Sequence, residues 1–445
     1  MKGLALLLLP SWQVANADSI RFEGWADAPI FVSPDPKSGL TDVCVLSSLE
    51  GVSAIFESPH PEKIQWSSFS NLGASFAEPI VEGVTIKGNT SIYSHLKSDT
   101  GYIVTDGDKN YYFWIIDYSK YPLKVDAVAA SPNQDCEATI VDIKGIGEEI
   151  KYFSINGRKI TLPRDIVVDF QTLKWNDEIK VFDIENSSKT LPYLSDEIYI
   201  TPPVYTPTKF HLSGDIFLTT WGHEISEESE MFYPKSVDAE TTAIQRKYSA
   251  DGSDTSGENG DGILGGSAPA DITFNAYVSD AVVHSEWQIS DDPEFENVTY
   301  RFYQQDLDYT FTQEGTSYVR FIGSNSDGSC EKYGDVYTIE IGASDLKIPN
   351  AFSPNGDGIN DVWRVVSQSL LDYKCTIFDR NGREVFHADR PDIGWDGKKN
   401  GKDVKPGVYF YVITATGSDG KRYKKSGDIN ILKQKKSGAS ASPVE

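Results

Sequence analysis

The feature that most restricts this chain is its punctuation. Short runs of β-branched and aromatic residues recur roughly every eight to twelve residues, each closed by Gly, Pro, Asn, Asp or Ser, the spacing of stacked antiparallel sheets. Runs at 43–46, 53–56, 111–116, 166–170, 179–184 and 318–322 are examples. No stretch of twelve or more residues carries apolar side chains at i, i+3, i+4 and i+7 without a Gly or Pro interrupting it. Helices are therefore expected to be few and short, and the chain is predicted to be all-β.

The length of 445 residues exceeds the roughly 100 to 150 of one ordinary domain, so several cores are expected. With 39% hydrophobic and 12% aromatic residues there is material to fill them, which excludes wholesale disorder. The 66 acidic and 41 basic side chains give a net charge of −25. Such a chain repels phosphate backbones, so no nucleic-acid partner is expected. The charge is unevenly placed: residues 345–445 hold 17 Lys and Arg against 13 Asp and Glu, a net +4, which leaves −29 on residues 1–344.

Lys2, the apolar run 3–9, Pro10 and then Ala15-Asn16-Ala17 read as a secretory signal peptide over 1–17, with the mature chain starting at Asp18. No Cys follows the apolar run to carry a lipid anchor, and no other segment approaches the ~20 apolar residues of a membrane span, so the chain is not expected to be transmembrane. Cys44, Cys136, Cys330 and Cys375 are widely spread and form no C-x-x-C. Their pairing is left open, a zinc or redox motif is not supported, and four small buried hydrophobes are the expectation.

Boundaries follow from composition. A first sandwich is expected over 18–125 and a second over 126–205, ending in the Pro-rich 201–207, which reads as an extended spacer. A third is expected over 206–344, with a flexible Gly/Ser/Asp-rich loop at 250–268 joining a strand near 236–244 to one at 272–276. In it, Glu286-Trp287-Gln288-Ile289-Ser290 supplies the core Trp of a central strand and 315–319 a later strand. This stretch resembles PKD-like modules, and the first two resemble immunoglobulin-like sandwiches. Strands at 374–378, 384–386, 408–416 and 429–432, with turns at Asn381-Gly382, Pro406-Gly407 and Asp419-Gly420, complete a small C-terminal antiparallel β-sandwich. Asn381-Gly382 is read as a type I′ turn, which needs positive φ at both positions.

The last hundred residues are the most informative. They open with Pro349-Asn350-Ala351-Phe352-Ser353-Pro354-Asn355-Gly356-Asp357-Gly358-Ile359-Asn360-Asp361-Val362-Trp363 and continue with 373–378, Arg380 and Gly382. Val385-Phe386, Gly394-Trp395-Asp396-Gly397, Pro406-Gly407-Val408-Tyr409 and finally Gly427 with 429–432 follow. Five separated blocks in this order resemble the gliding-motility-associated C-terminal domain, the type B sorting domain of the Bacteroidota type IX secretion system. It would span 345–436, with a tail at 437–445. Two places depart from the family: a usual Asn-Arg-Trp-Gly turn reads Asp379-Arg380-Asn381-Gly382, and a usual terminal Leu-Leu-Arg reads Ile431-Leu432-Lys433. The resemblance implies a route: passage of the inner membrane by a signal peptide, then export through the outer membrane by the type IX translocon. A PorP/SprF-type outer-membrane protein is the implied partner, and the cell surface or the medium the destination.

Two local features could carry recognition. Lys421, Arg422, Lys424, Lys425, Lys433, Lys435 and Lys436 form a basic stripe, either a solvated edge guarded by lysines or an electrostatic contact for the translocon. Ser353, Asn355, Asp357, Ile359 and Asp361 fall at alternate positions of a calcium-type loop with Gly358 at the sixth. Arg364 stands where the bidentate Glu of an EF-hand belongs, so the choice is between calcium at Asn355, Asp357 and Asp361 and a series of Asx-turns.

Enzyme signatures are absent from the sequence. His223-Glu224 lacks the second His of a zinc-protease helix, and neither a nucleophile elbow nor a Walker loop occurs. The favoured reading is a non-enzymatic surface or secreted protein of adhesin or structural type. The alternatives are an enzyme with unrecognised catalytic residues and a carbohydrate-binding accessory protein displaying Trp66, Trp114 or Trp175.

Overall fold

The computed structural model describes residues 20–246, 257–258 and 264–432. The signal-peptide segment, most of the expected loop at 250–268, Lys433, Lys435, Lys436 and the tail lie outside the described residues. The chain divides into two compact units, Met1–Thr172 with Ile184–Pro234, and Leu173–Asp183 with Lys235–Glu445. Almost every element is a strand; the one α-helix among the described residues is Ile216–Trp221, six residues long.

In the first unit, the first sandwich sets a four-stranded sheet (Arg21–Glu23, Ser53–Glu57, Thr90–Tyr93, Val84–Lys87) against a six-stranded one. The larger sheet runs Ile30–Val32, Asp42–Leu46, Lys109–Asp117, Thr100–Asp106, Gln65–Phe69, Glu78–Ile80. One of its pairings, Lys109–Asp117 on Asp42–Leu46, is parallel. A sheet with one wet face alternates buried and exposed residues, but here Val43, Cys44, Val45 and Leu46 are all buried, as are Phe113 to Asp117. Cys44, Leu46, Phe113 and Ile115 face the four-stranded sheet. Val43, Val45, Trp114 and Ile116 face the hairpin Ile150–Phe153/Lys159–Leu162 and Phe217 of the helix.

The second sandwich pairs Lys124–Ala130, Thr139–Ile146 and Glu197–Ile200 in one sheet and Val181–Leu191, Ile166–Asn176, His211–Gly214 and Ile225–Glu228 in the other. Its boundary differs from the expected 205, because His211–Gly214 pairs with Ile166–Asn176 inside the same sheet. The Pro-rich 201–207 is therefore not a spacer. Val204 is fully buried in the core with its amide donating to Thr139 Oγ1 (2.9 Å), so the segment is a crossover from one sheet to the other, anchored at its middle. The run 179–184 straddles a turn rather than forming a strand. Asn176 Oδ1 accepts the Glu178 amide, Lys180 sits at φ +54, and the strand resumes at Val181.

In the second unit, the third sandwich pairs Ala239–Gln245 antiparallel with Ala270–Val278, which places the Gly/Ser/Asp-rich segment within one module. Part of that segment is itself a strand, Leu264–Gly266, parallel to Tyr337–Ile341. Trp287 lies fully buried on the central strand His284–Ser290, packed on Phe274 and Phe321, with Nε1 donating to Gln305 O. Trp175 rests against Phe182 and Tyr277.

The C-terminal domain is a five-stranded sheet in the order Ala351–Phe352, Arg422–Ile431, Gly407–Gly417, Leu370–Phe378, Glu384–Ala388, covered by loops and two short two-stranded sheets. It is joined to the third sandwich by more than chain continuity. Ser369 is buried, its amide donates to Ser267 Oγ (2.7 Å) and its Oγ accepts the Ala268 amide (3.2 Å). Ser418 Oγ donates to Gly342 O.

Candidate functional site

The motif residues of the last hundred positions converge on one aromatic core. Phe352, Trp363, Trp395 and Tyr409 are all buried; Trp395 meets Phe352 at 5.5 Å and Tyr409 at 5.1 Å between ring centroids. Trp363 and Trp395 form an isolated bridge, each amide donating to the other's carbonyl at 2.8 Å. Each indole also finds an acceptor: Trp363 Nε1 donates to Pro349 O and Trp395 Nε1 to Lys398 O. Asn350 O accepts the Asn430 amide, which fixes the domain entry to the last strand. Asp396 Oδ1 accepts the Lys398 amide, and Gly397 holds φ +77 with Pro354 so close that a Cβ would lie 2.9 Å from its Cγ. Tyr409 donates its hydroxyl to Lys405 O, just before Gly407 opens the long central strand. The four aromatic side chains build the domain's core.

The loop 353–361 is a nest of Asx-turns. Asp361 Oδ1 accepts the amides of Asn355 and Gly356 and its Oδ2 that of Gly358, each at 2.7 Å. Asn355 Oδ1 accepts the Asp357 amide, Asp357 Oδ1 accepts the Ile359 amide, and Asn355 Nδ2 donates to Asp357 Oδ2. Gly356, Gly358 and Asn360 supply the positive φ that the path needs. The amides of Gly356 and Gly358 hold the Asp361 carboxyl below the usual carboxylate range. Both Asp361 oxygens accept amides and the Asn355 amide group faces Asp357, so the turns hold the loop together without a cation.

The Asn381-Gly382 turn falls at its expected place with a different geometry. Only Gly382 has positive φ (+76), Asp379 Oδ1 accepts the amides of Asn381 and Arg383, and the register slips between Ile377 and Phe378. It is a turn with a glycine bulge, not type I′, because the Asp379 carboxylate caps a right-handed turn first. Of the basic stripe, Lys421, Arg422, Lys424 and Lys425 are exposed on the last strand and the turn before it.

Residues 346–431 match the family model described as CHU_C Type IX secretion signal domain. The C-terminal domain is a type IX secretion signal. Residues 128–248 match a fibronectin type III domain, which overlaps the second sandwich. No curated protein matches the chain. Among solved structures, the fibronectin domains FN1-FN3 of chicken CNTN1 are 9% identical with a TM-score of 0.25, covering 70% of this chain and 100% of that one. Dimeric latent PorU from Porphyromonas gingivalis is 9% identical with a TM-score of 0.16, covering 73% of this chain and 35% of that one. A biofilm-associated protein BSP domain is 9% identical with a TM-score of 0.17, covering 95% and 99%. The type IX secretion signal directs the chain through the type IX machinery to the cell surface or extracellular space. No helix of the described residues is long and apolar enough to cross a membrane.

Other candidates separate clearly. Trp66 and Trp114 are 2% and 1% exposed, so they are core and not sugar platforms; Trp175 is half-buried among rings. Cys44 and Cys375 are buried free thiols, as expected, and burial pushes the Cys375 thiol up to about 11. Cys136 and Cys330 differ from that expectation, both being disulfide-bonded. Sequence reasoning missed a buried cluster in the first unit: Arg164 Nε donates to Asp215 Oδ2 (2.7 Å), and both side chains are fully buried. Tyr118 donates to the same oxygen (2.8 Å), Arg164 Nη2 donates to Tyr118 OH and Tyr121 O, and Asp215 Oδ1 caps the helix at the Leu218 amide. This ties the end of the first sandwich to the second. The partners lie 51 and 97 residues apart, and no local pattern marks them.

Proposed function

We propose that this is a non-enzymatic, modular protein of adhesin or structural type, whose sandwiches are displayed or released after export through the type IX route, with a PorP/SprF-type outer-membrane protein as its partner there. The observation that carries the reading is a folded type IX secretion signal at the end of tandem immunoglobulin- and fibronectin-like modules. One depression on the second sandwich suits contact with a partner. Lined by Asp169, Phe170, Gln171, Lys209, His211 and Met231, about 550 Å³, it lies open to solvent and mixes polar with apolar side chains, as a surface for contact does.

Protease shaving of intact cells tests it. The full-length chain should be degraded from outside, whereas a chain lacking 345–445 should stay protected in the periplasm. Equal protection of both would remove the export reading. For the role, cells lacking the protein should lose attachment to a surface or to neighbouring cells and regain it with the full chain; unchanged attachment would turn attention to the enzyme alternative.

A further inference from the structure

The register of the C-terminal sheet lays its outward face out as a grid. One row runs Asp428, Phe410, Phe378, Glu384; the next runs Ser426, Val412, Thr376, His387. Beyond them come Lys424, Thr414, Lys374 and then Arg422, Thr416. Three apolar side chains of the central strand stand in water here: Val408, Phe410 and Val412 are 46%, 47% and 41% exposed. The cations gather at the other end, around a depression of about 620 Å³ where Lys374, Arg422 and Lys424 outnumber the two carboxylates of the lining, Asp372 and Asp389. Among the described residues none of these three cations enters an ion pair. The face is thus sorted, apolar at one end and cationic at the other, on a rigid sheet whose reverse side is the aromatic core.

We propose that this outward face is where the domain docks onto a protein of the export route, whose complementary surface presents apolar side chains with carboxylates at one end. The inference rests on the export reading above and names the surface that serves it. The motif aromatics Phe352, Trp363, Trp395 and Tyr409 are buried and cannot be touched without unfolding the domain, and the exposed motif loop 356–360 is tied up in its own turns, so recognition falls to exposed side chains such as those of this face. An exposed apolar strip bordered by unpaired charge is the composition of a docking patch. The charge selects an acidic partner. A protein fits better than an anionic lipid surface, because the row of Phe410 ends in Asp428 on one side and Glu384 on the other. Lipid phosphates would repel both carboxylates, whereas a protein surface can pair them.

The test uses the full chain in its own cells, with two independent alterations of the face. Phe410→Thr with Val412→Thr removes the apolar end while keeping strand-forming residues; Lys374→Glu with Lys424→Glu reverses the cationic end. Val366→Thr, exposed on another sheet of the same domain, is the control. Each pair should lower the externally degradable fraction at least tenfold, with the Tm of the purified chain unchanged and the control exported normally. If both pairs are exported like the unaltered chain while removal of 345–445 blocks export, the face is not the docking surface and the export reading stands. If that removal also leaves export unchanged, both fall. Binding of the purified chain to phosphatidylglycerol vesicles that the pairs abolish, or a dimer that they dissolve, would assign the face to lipid or to a second copy and overturn the proposal.

Discussion

Removal of the Arg164 side chain would strand the Asp215 carboxylate, fully buried beside Tyr118. An uncompensated buried charge typically costs about 3 to 5 kcal/mol, so Arg164→Ala should lower the unfolding free energy of the first unit, read from urea unfolding, by that amount. Replacing both partners by apolar residues, Arg164→Met with Asp215→Leu, should recover part of the loss despite the helix cap it sacrifices. Asp361 gives a pH-dependent counterpart. Its carboxyl is held down by amides of the folded loop, so folding gains from its ionised form at any pH above the unfolded value of about 4. That gain is lost as pH falls through the lower folded value. Thermal melts should therefore show the native chain losing more stability than Asp361→Asn as pH falls below about 4, and the variant should start from a lower Tm at pH 7.

Glycines at the turns of the C-terminal domain separate two causes of strain. Gly382 and Gly397 both hold positive φ, at +76 and +77. A Cβ at Gly382 meets nothing within 4 Å, whereas one at Gly397 meets Pro354 at 2.9 Å. Gly382→Ala should cost only the left-handed backbone penalty of about 1 to 2 kcal/mol, and Gly397→Ala more, read from urea unfolding of the full chain. At this scale the sequence was readable wherever a signal is local. Three strands of the C-terminal sheet and the turn at Asn381-Gly382 are placed by alternation and turn residues, whereas the last strand is read only over 429–432 although it spans Arg422–Ile431, and Ala351–Phe352 is not read as a strand. The turn's type is not read either, because it depends on which way the Asp379 carboxylate points. The Pro-rich 201–207 was misread for a related reason: proline rules out regular strand but says nothing of burial, and Val204 is buried by residues such as Thr139, 65 positions away.

Across the whole molecule, thiol chemistry gives a count. At pH 8 the native chain should resist alkylation at Cys44 and Cys375, two cysteines should label after denaturation, and four after denaturation with reduction. Labelling of native Cys375 would show that the C-terminal core opens readily. The candidate site was legible as a family signature and as a basic segment, since both are written in consecutive residues. Its outward face was not, because a grid such as Phe410 beside Phe378 exists only once strands pair. The six-stranded sheet of the first sandwich carries a last consequence. One of its faces is closed by the hairpin Ile150–Phe153/Lys159–Leu162 and the helix Ile216–Trp221, which belong to later sequence. A fragment ending at Val125 would leave Val43, Val45, Trp114 and Ile116 bare to water and should aggregate, where a fragment ending at Pro234 should remain soluble and monomeric by size exclusion. The piece that can be exchanged between proteins, by recombination or by design, is then the pair of sandwiches and never the first alone.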